Sequence, residues 1–130
     1  MLFIGGRQTK WPAVEQALGE LGIADGVLYV QGLEQARTHL ESHDQTAPSV
    51  VLLSIDRIGG NGLDALKTLK ANERLGRVPV VVLASSSDAR LVNESFAQGA
   101  AGYLVEAADS REFAQAIRRI HDYWTLSELP

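Results

Sequence analysis

Pro79-Val80-Val81-Val82-Leu83-Ala84 is the most strongly strand-forming stretch of the chain, and its reading decides the fold. Three successive valines and a leucine make an unbroken apolar run of β-formers. A strand with one solvated face alternates apolar and polar residues. A continuous run of this length reads instead as a strand covered on both faces. Upstream, Val50-Val51-Leu52-Leu53-Ser54 repeats the pattern. Shorter runs of the same kind stand at Leu2-Phe3-Ile4, Val27-Leu28-Tyr29-Val30 and Gly102-Tyr103-Leu104-Val105.

Between these runs the apolar period changes from continuous to three and four. Val14, Ala17, Leu18 and Leu21 predict a first helix, with Pro12 near its start and Gly22 at its stop. Leu33, Ala36 and Leu40 predict a second, weaker one. Residues 43–48 are polar and read as a loop. Leu63, Leu66 and Leu69 mark a third helix opened by Asn61 and Gly62. Leu91, Val92, Ser95 and Phe96 mark a fourth, capped by Ser87 or Asp88 and closed by Gly99. Asp109 begins a fifth, with Glu112 placed to complete a capping box and Phe113, Ala116, Ile117 and Ile120 as its buried face. Tyr123-Trp124 and residues 126–130 read as a short apolar tail, so the expected division is a domain over 1–122 and a tail over 123–130.

Five strands alternating with helices imply right-handed βαβ units: an α/β, doubly wound, five-stranded parallel sheet with helices on both faces. In such sheets the site lies beyond the carboxyl ends of the strands. The residues just after strands one, three, four and five are therefore the candidates: Gly5 and Gly6, Ser54, Ala84, and Glu106.

The bulk numbers bound the function. The chain has 130 residues, 45% apolar and 22% charged, which suits one globular domain with a real core. With no cysteine, disulfides, thiolate catalysis and cysteine-ligated metals are excluded. The net charge of −4 disfavours non-specific nucleic-acid binding. No stretch approaches the roughly 18 apolar residues of a membrane span, and the start has no signal-peptide pattern. A cytoplasmic protein is expected, without membrane or nucleic-acid partners.

Several local patterns invite chemistry and are met by plainer accounts. Gly5-Gly6 lies between a strand and a helix, the setting of a phosphate loop, but lacks a third glycine and the Gly-Lys-Ser/Thr ending. His39 and His43 stand four apart beside Asp44, a spacing that binds metals, yet a solvated helix face explains them as well. Arg118-Arg119, near Arg111, make the last helix locally basic, either as a solvated face or as a partner contact. No metal site and no cofactor are expected from these patterns.

Three segments together resemble response-regulator receiver domains. They are Val51-Leu52-Leu53-Ser54 with Gly62 eight residues beyond Ser54, Pro79 to Ser86, and Gln98-Gly99-Ala100-Ala101-Gly102-Tyr103-Leu104-Val105-Glu106. The likeness spans about the whole chain. Lys70-Ala71-Asn72, Val78-Pro79 and the aromatic tail bring it nearest to stand-alone regulators of the phytochrome type. The resemblance implies a flavodoxin-like sheet of strand order 2-1-3-4-5. It also implies a reaction: an aspartate takes a phosphoryl group, Mg²⁺ bridges it to an acidic pair, and a lysine and a hydroxyl hold its oxygens.

On that alignment every part of the site is replaced. The acidic pair falls on Gly5 and Gly6, the nucleophile on Ser54, the hydroxyl on Ala84 and the lysine on Glu106, with Ala107 after it. Serine is a poor nucleophile without a base, and a glutamate repels phosphate. The expectation is a non-phosphorylatable pseudo-receiver, no enzyme, that binds a sensor kinase, an effector or another regulator in bacterial signalling. Asp56 is the one cryptic phosphoacceptor to weigh, on condition that the strand continues past Ser54; Ser85 is a substitute for the lost hydroxyl. A small-molecule sensor using the less polar pocket is the alternative. Glu106 is expected to pair with Arg7 or Arg57. The resemblance further implies a partner face on the fourth helix, fifth strand and fifth helix, carrying Tyr103, Arg111, Arg118, Arg119, Tyr123 and Trp124, with a twofold homodimer through it.

Overall fold

The computed structural model describes residues 2–5, 16–17, 19–20, 22, 28–30, 32–41, 50–55, 62–72, 76–85, 87–106 and 109–126. Five strands are formed: β1 (Leu2–Ile4), β2 (Leu28–Val30), β3 (Val51–Ser54), β4 (Val80–Ala84) and β5 (Gly102–Val105). They make one sheet in the order β2-β1-β3-β4-β5, and every pairing is parallel. The expected order 2-1-3-4-5 is the observed one. The helices are α1 (Leu33–Glu41), α2 (Gly62–Ala71), α3 (Ala89–Ala97) and α4 (Ser110–Leu126), which answer to the second to fifth predicted helices. Of the first predicted helix, Gln16, Ala17, Gly19 and Glu20 are helical; Val14, Leu18 and Leu21 lie outside the described residues.

The unbroken apolar runs are explained by two cores. Along each strand the side chains alternate between faces. On one face Leu2, Ile4, Val51, Leu53, Val80 and Val82 pack with Ala36 of α1, Ala65, Leu66 and Leu69 of α2, and Leu91 of α3. On the other, Phe3, Val50, Leu52, Val81 and Leu83 pack with Phe113, Ala114 and Ile117 of α4, with Ala17 beside them. Phe113 is 1% exposed. Burying a side chain of that size contributes roughly 1.5–3 kcal/mol.

Local signals set the helix ends. Asp88 Oδ1 accepts from the Arg90 backbone N–H at 2.8 Å and so starts α3. Gly99, at φ +102°, closes it, with its N–H donating to the Phe96 carbonyl and that of Ala100 to the Ser95 carbonyl. Asp109 Oδ1 accepts from the N–H groups of Arg111 at 2.8 Å and Glu112 at 3.4 Å, which starts α4. α4 does not stop at Asp122. It runs on through Tyr123 and Trp124 to Leu126. The expected tail from residue 123 is thus, up to 126, the last turn of the helix. No glycine or proline interrupts this stretch, so nothing local ends the hydrogen-bond ladder.

Candidate functional site

The parallel register brings the four candidate positions to one end of the sheet. Ile4 stands beside Leu53, which sets Gly5 next to Ser54. Ser54 stands beside Leu83, one residue before Ala84. Ala84 is paired with Val105, and the Glu106 N–H donates to the Ala84 carbonyl at 2.9 Å. Gly5, Ser54, Ala84 and Glu106 therefore close the carboxyl ends of β1, β3, β4 and β5, where parallel sheets place their sites.

The geometry there is tight and small. Ser54 and Ala84 are each 1% exposed. Gly5 is buried and adopts φ +142°, a conformation that residues with a side chain rarely take. A Cβ on Gly5 would stand 2.6 Å from the Ser54 Cβ. The Gly5 N–H donates to the Val30 carbonyl, so the end of β1 is tied to β2 as well. No side-chain hydrogen bond joins the Ser54 hydroxyl to another described residue. Ser85, directly after β4, is exposed. Glu106 is half-buried; Arg7 and Arg57, its expected partners, lie outside the described residues, as do Gly6 and Ala107. β3 ends at Ser54 and Ile55 begins a turn, so the strand continuation that Asp56 needed is not formed at Ile55; Asp56 lies outside the described residues. Among the described residues no group of three His, Asp or Glu side chains could hold a metal ion. The side chain of His39 and all of His43 lie outside them.

The expected partner face is only partly gathered. Tyr103, Arg119 and Tyr123 line one groove of about 520 Å³ between β5 and α4, together with Val81, Leu104, Ala116 and Ile120. Arg118 is engaged elsewhere, with its Nε 3.5 Å from Asp122 Oδ2 on the same helix. Arg111 is exposed in the first turn of α4, two turns before Arg119. Trp124 is in the helix, with its side chain outside the described residues. Three large apolar side chains on these elements are left open to solvent: Phe96 is 48% exposed, Val105 38% and Tyr123 62%. The helical stripe Leu91, Val92, Ser95 and Phe96 sets both Ser95 and Phe96 on one side of the helix. In the structure Ser95, not Phe96, faces the core, its hydroxyl donating to the Leu91 carbonyl at 2.8 Å. A four-residue stripe is too short to orient a helix to within one position.

A five-stranded parallel sheet in this order, covered on both faces, with its candidate residues at the strand ends, is the flavodoxin-like arrangement that receivers share. The response regulator receiver domain matches residues 11–118, and the chain belongs to this family of two-component signalling domains. The phosphorylated cyanobacterial phytochrome response regulator RcpA has the same fold: TM-score 0.80, 23% identity, covering 99% of this chain and 96% of that one. Among proteins compared by sequence, Response regulator Rcp1 of Synechocystis sp. is 26% identical over 102 residues, 78% of this chain and 67% of its own. Probable methanogenesis regulatory protein FilR2 of Methanothrix harundinacea is 24% identical over 114 residues, 85% of this chain and 74% of its own. Receiver domains interact with protein partners such as kinases and effectors. No described helix is long and apolar enough to cross a membrane.

Proposed function

We propose that this receiver is a non-phosphorylatable protein–protein interaction module, working in the cytoplasm in bacterial-type signal transduction, without catalysis. One observation carries the reading. The backbone at Gly5 takes φ +142° and leaves no room for a Cβ against Ser54. An acidic pair at the end of β1 is the usual anchor of Mg²⁺ in the receiver reaction, because that ion needs hard oxygen ligands and neutralises the phosphoryl charge. Here the first of those positions has neither a carboxylate nor space for one. Ser54 offers a hydroxyl in place of an aspartate, Ala84 no hydroxyl, and Glu106 a carboxylate in place of a cation.

The test is direct. The protein is incubated with Mg²⁺ and acetyl phosphate, and separately with beryllofluoride. Intact mass and the ¹H–¹⁵N spectrum are expected to stay unchanged. An added phosphate mapped to Ser54 or Asp56 overturns the proposal.

Input to such a module comes through binding or assembly, and a partner must bind two states with different affinity for any switch to exist. The partner is a sensor kinase, an effector or another regulator. The same elements suit a twofold homodimer: Phe96 on α3, Val105 on β5 and Tyr123 on α4 leave apolar surface uncovered, and Tyr103, Arg119 and Tyr123 share a groove. Sedimentation is expected to show a dimer that weakens on truncation after Asp122, which removes the last turn of α4. A monomer at high micromolar concentration with α4 intact removes the dimer and leaves the surface to a different protein.

A further inference from the structure

Two of the described glycines with positive φ, of which only Gly5 lies at the mouth of the sheet, separate two effects. Gly22 has φ +83° and nothing within 4 Å of a built Cβ. Gly5 has φ +142°, and its Cβ would meet the Ser54 Cβ at 2.6 Å, the Ser54 Oγ at 3.4 Å and the Ser54 Cα at 3.5 Å. A side chain would add backbone strain at both positions, more at Gly5, whose φ lies farther from the left-handed helical well. Gly5 alone also carries a contact. The nearest atom is not the tip of a flexible side chain that rotates away. It is a Cβ bonded to the backbone of β3, so relief needs movement of a strand.

Neither strand is free to move by itself. β1 is paired with β2 through Ile4 and Val30 and with β3 through Ile4 and Leu53, and the Gly5 N–H is held by the Val30 carbonyl at 3.1 Å. β3 is paired with β4 through Ser54 and Leu83, and the Ile55 N–H is held by the Leu83 carbonyl at 3.1 Å. Opening a gap between positions 5 and 54 therefore stretches hydrogen bonds at the buried centre of the sheet, where an unmade bond costs more than the bond contributes.

We infer that Gly5 and Ser54 form a closed seam between β1 and β3 that tolerates a side chain at one of the two positions and not at both. As the backbone stands, the seam leaves no room at position 5 for a carboxylate that a divalent-cation site at this mouth would use. Its meaning for function rests on the proposed non-phosphorylatable reading; its geometry does not. A carboxylate at position 54 finds the Cβ space it needs and no cation to pair with. A carboxylate at position 5 lacks even the Cβ space. The two together compete for one volume and add two like charges in a buried place.

The experiment is a mutant cycle on the whole chain: Gly5→Ala, Ser54→Gly, the double variant, and Gly22→Ala as the measure of backbone strain without contact. Thermal unfolding is expected to show a larger fall in melting temperature for Gly5→Ala than for Gly22→Ala. In the Ser54→Gly background the fall caused by Gly5→Ala is expected to be smaller than in the parent chain, because the opposing Cβ is gone and only backbone strain remains. If Gly5→Ala does not fold, recovery of a folded spectrum in Gly5→Ala with Ser54→Gly supports the seam. Equal failure of the two overturns it, as does a Gly5→Ala variant no less stable than Gly22→Ala. The functional arm uses Mn²⁺ alone as probe. Gly5→Asp with Ser54→Asp is expected to show no Mn²⁺-dependent broadening of the Ile4 and Leu53 amide signals at millimolar ion. Saturable broadening there in a folded variant overturns the inference. A phosphorylated Asp56 would sink the proposed function and leave the seam standing; an uncoupled cycle would do the reverse.

Discussion

The carboxyl end of the sheet and its β5 edge have opposite characters. At the end, Ser54 and Ala84 are 1% exposed and Gly5 is buried, so the place where receivers keep their reactive groups is filled by small residues packed on one another. At the edge, Phe96, Val105 and Tyr123 stay exposed, and Arg119 lines a groove beside Tyr103. Single exposed apolar side chains are ordinary. Here three of them stand on three successive elements, α3, β5 and α4. The contrast teaches that the fold keeps its interior by shrinking the residues at the strand ends, while residues that the fold does not need for its core remain on α3, β5 and α4.

The strongest way to break the contrast is to loosen α4, which covers one face of the sheet and carries part of the edge. Phe113→Ala is expected to cost about 3–5 kcal/mol, read by chemical denaturation, because Phe113 is 1% exposed and its removal leaves a cavity under the helix. A loss below about 1 kcal/mol would mean that α4 is held chiefly by other contacts. Asp109→Ala removes the acceptor for the N–H groups of Arg111 and Glu112 and is expected to cost about 1 kcal/mol, with amide exchange rising in the first turn of α4.

Ser54→Ala sharpens the description of the closed end. A buried hydroxyl with no hydrogen bond to a described residue costs about 1–3 kcal/mol if it is left unsatisfied, and alanine keeps the Cβ that packs against Gly5. The melting temperature is therefore expected to hold or rise; a clear fall would reveal a partner for that hydroxyl. The smallest effect belongs to the edge. Arg118→Ala removes an exposed pair with Asp122 on the same helix and is expected to change stability by less than about 0.5 kcal/mol in an unfolding curve. A larger loss would make the Arg118–Asp122 pair part of the helix's packing.

Strand positions were most legible in the sequence for β1, β3 and β4, which are buried on both faces. Leu2-Phe3-Ile4 and Gly102 to Val105 read with the bounds that form, and the β3 and β4 runs differ only at their ends. Alternation of layers then follows from chain order and handedness, and the candidate ring of Gly5, Ser54, Ala84 and Glu106 follows from parallel pairing. Caps at Asp88 and Asp109 were legible because a capping carboxylate acts within its own next three residues. The length of α4 was not, since an aromatic pair after an amphipathic helix reads equally as a last turn or as a tail.

The amino-acid sequence by itself determined the number of the strands, the two-sided burial of the central ones and the residue types Gly5, Ser54, Ala84 and Glu106 at the strand ends. Those properties depend on composition and period along the chain, which are local. The tertiary structure alone decided that Gly5 has no room beside Ser54, that Phe96 stays exposed while Ser95 is buried, and that Arg119 lines a groove with Tyr103 and Tyr123. Each of these is a distance of a few ångströms between atoms, in most cases far apart in sequence. Such distances are set by how strands register and helices rotate when two cores close at once, and no periodicity along the chain specifies them.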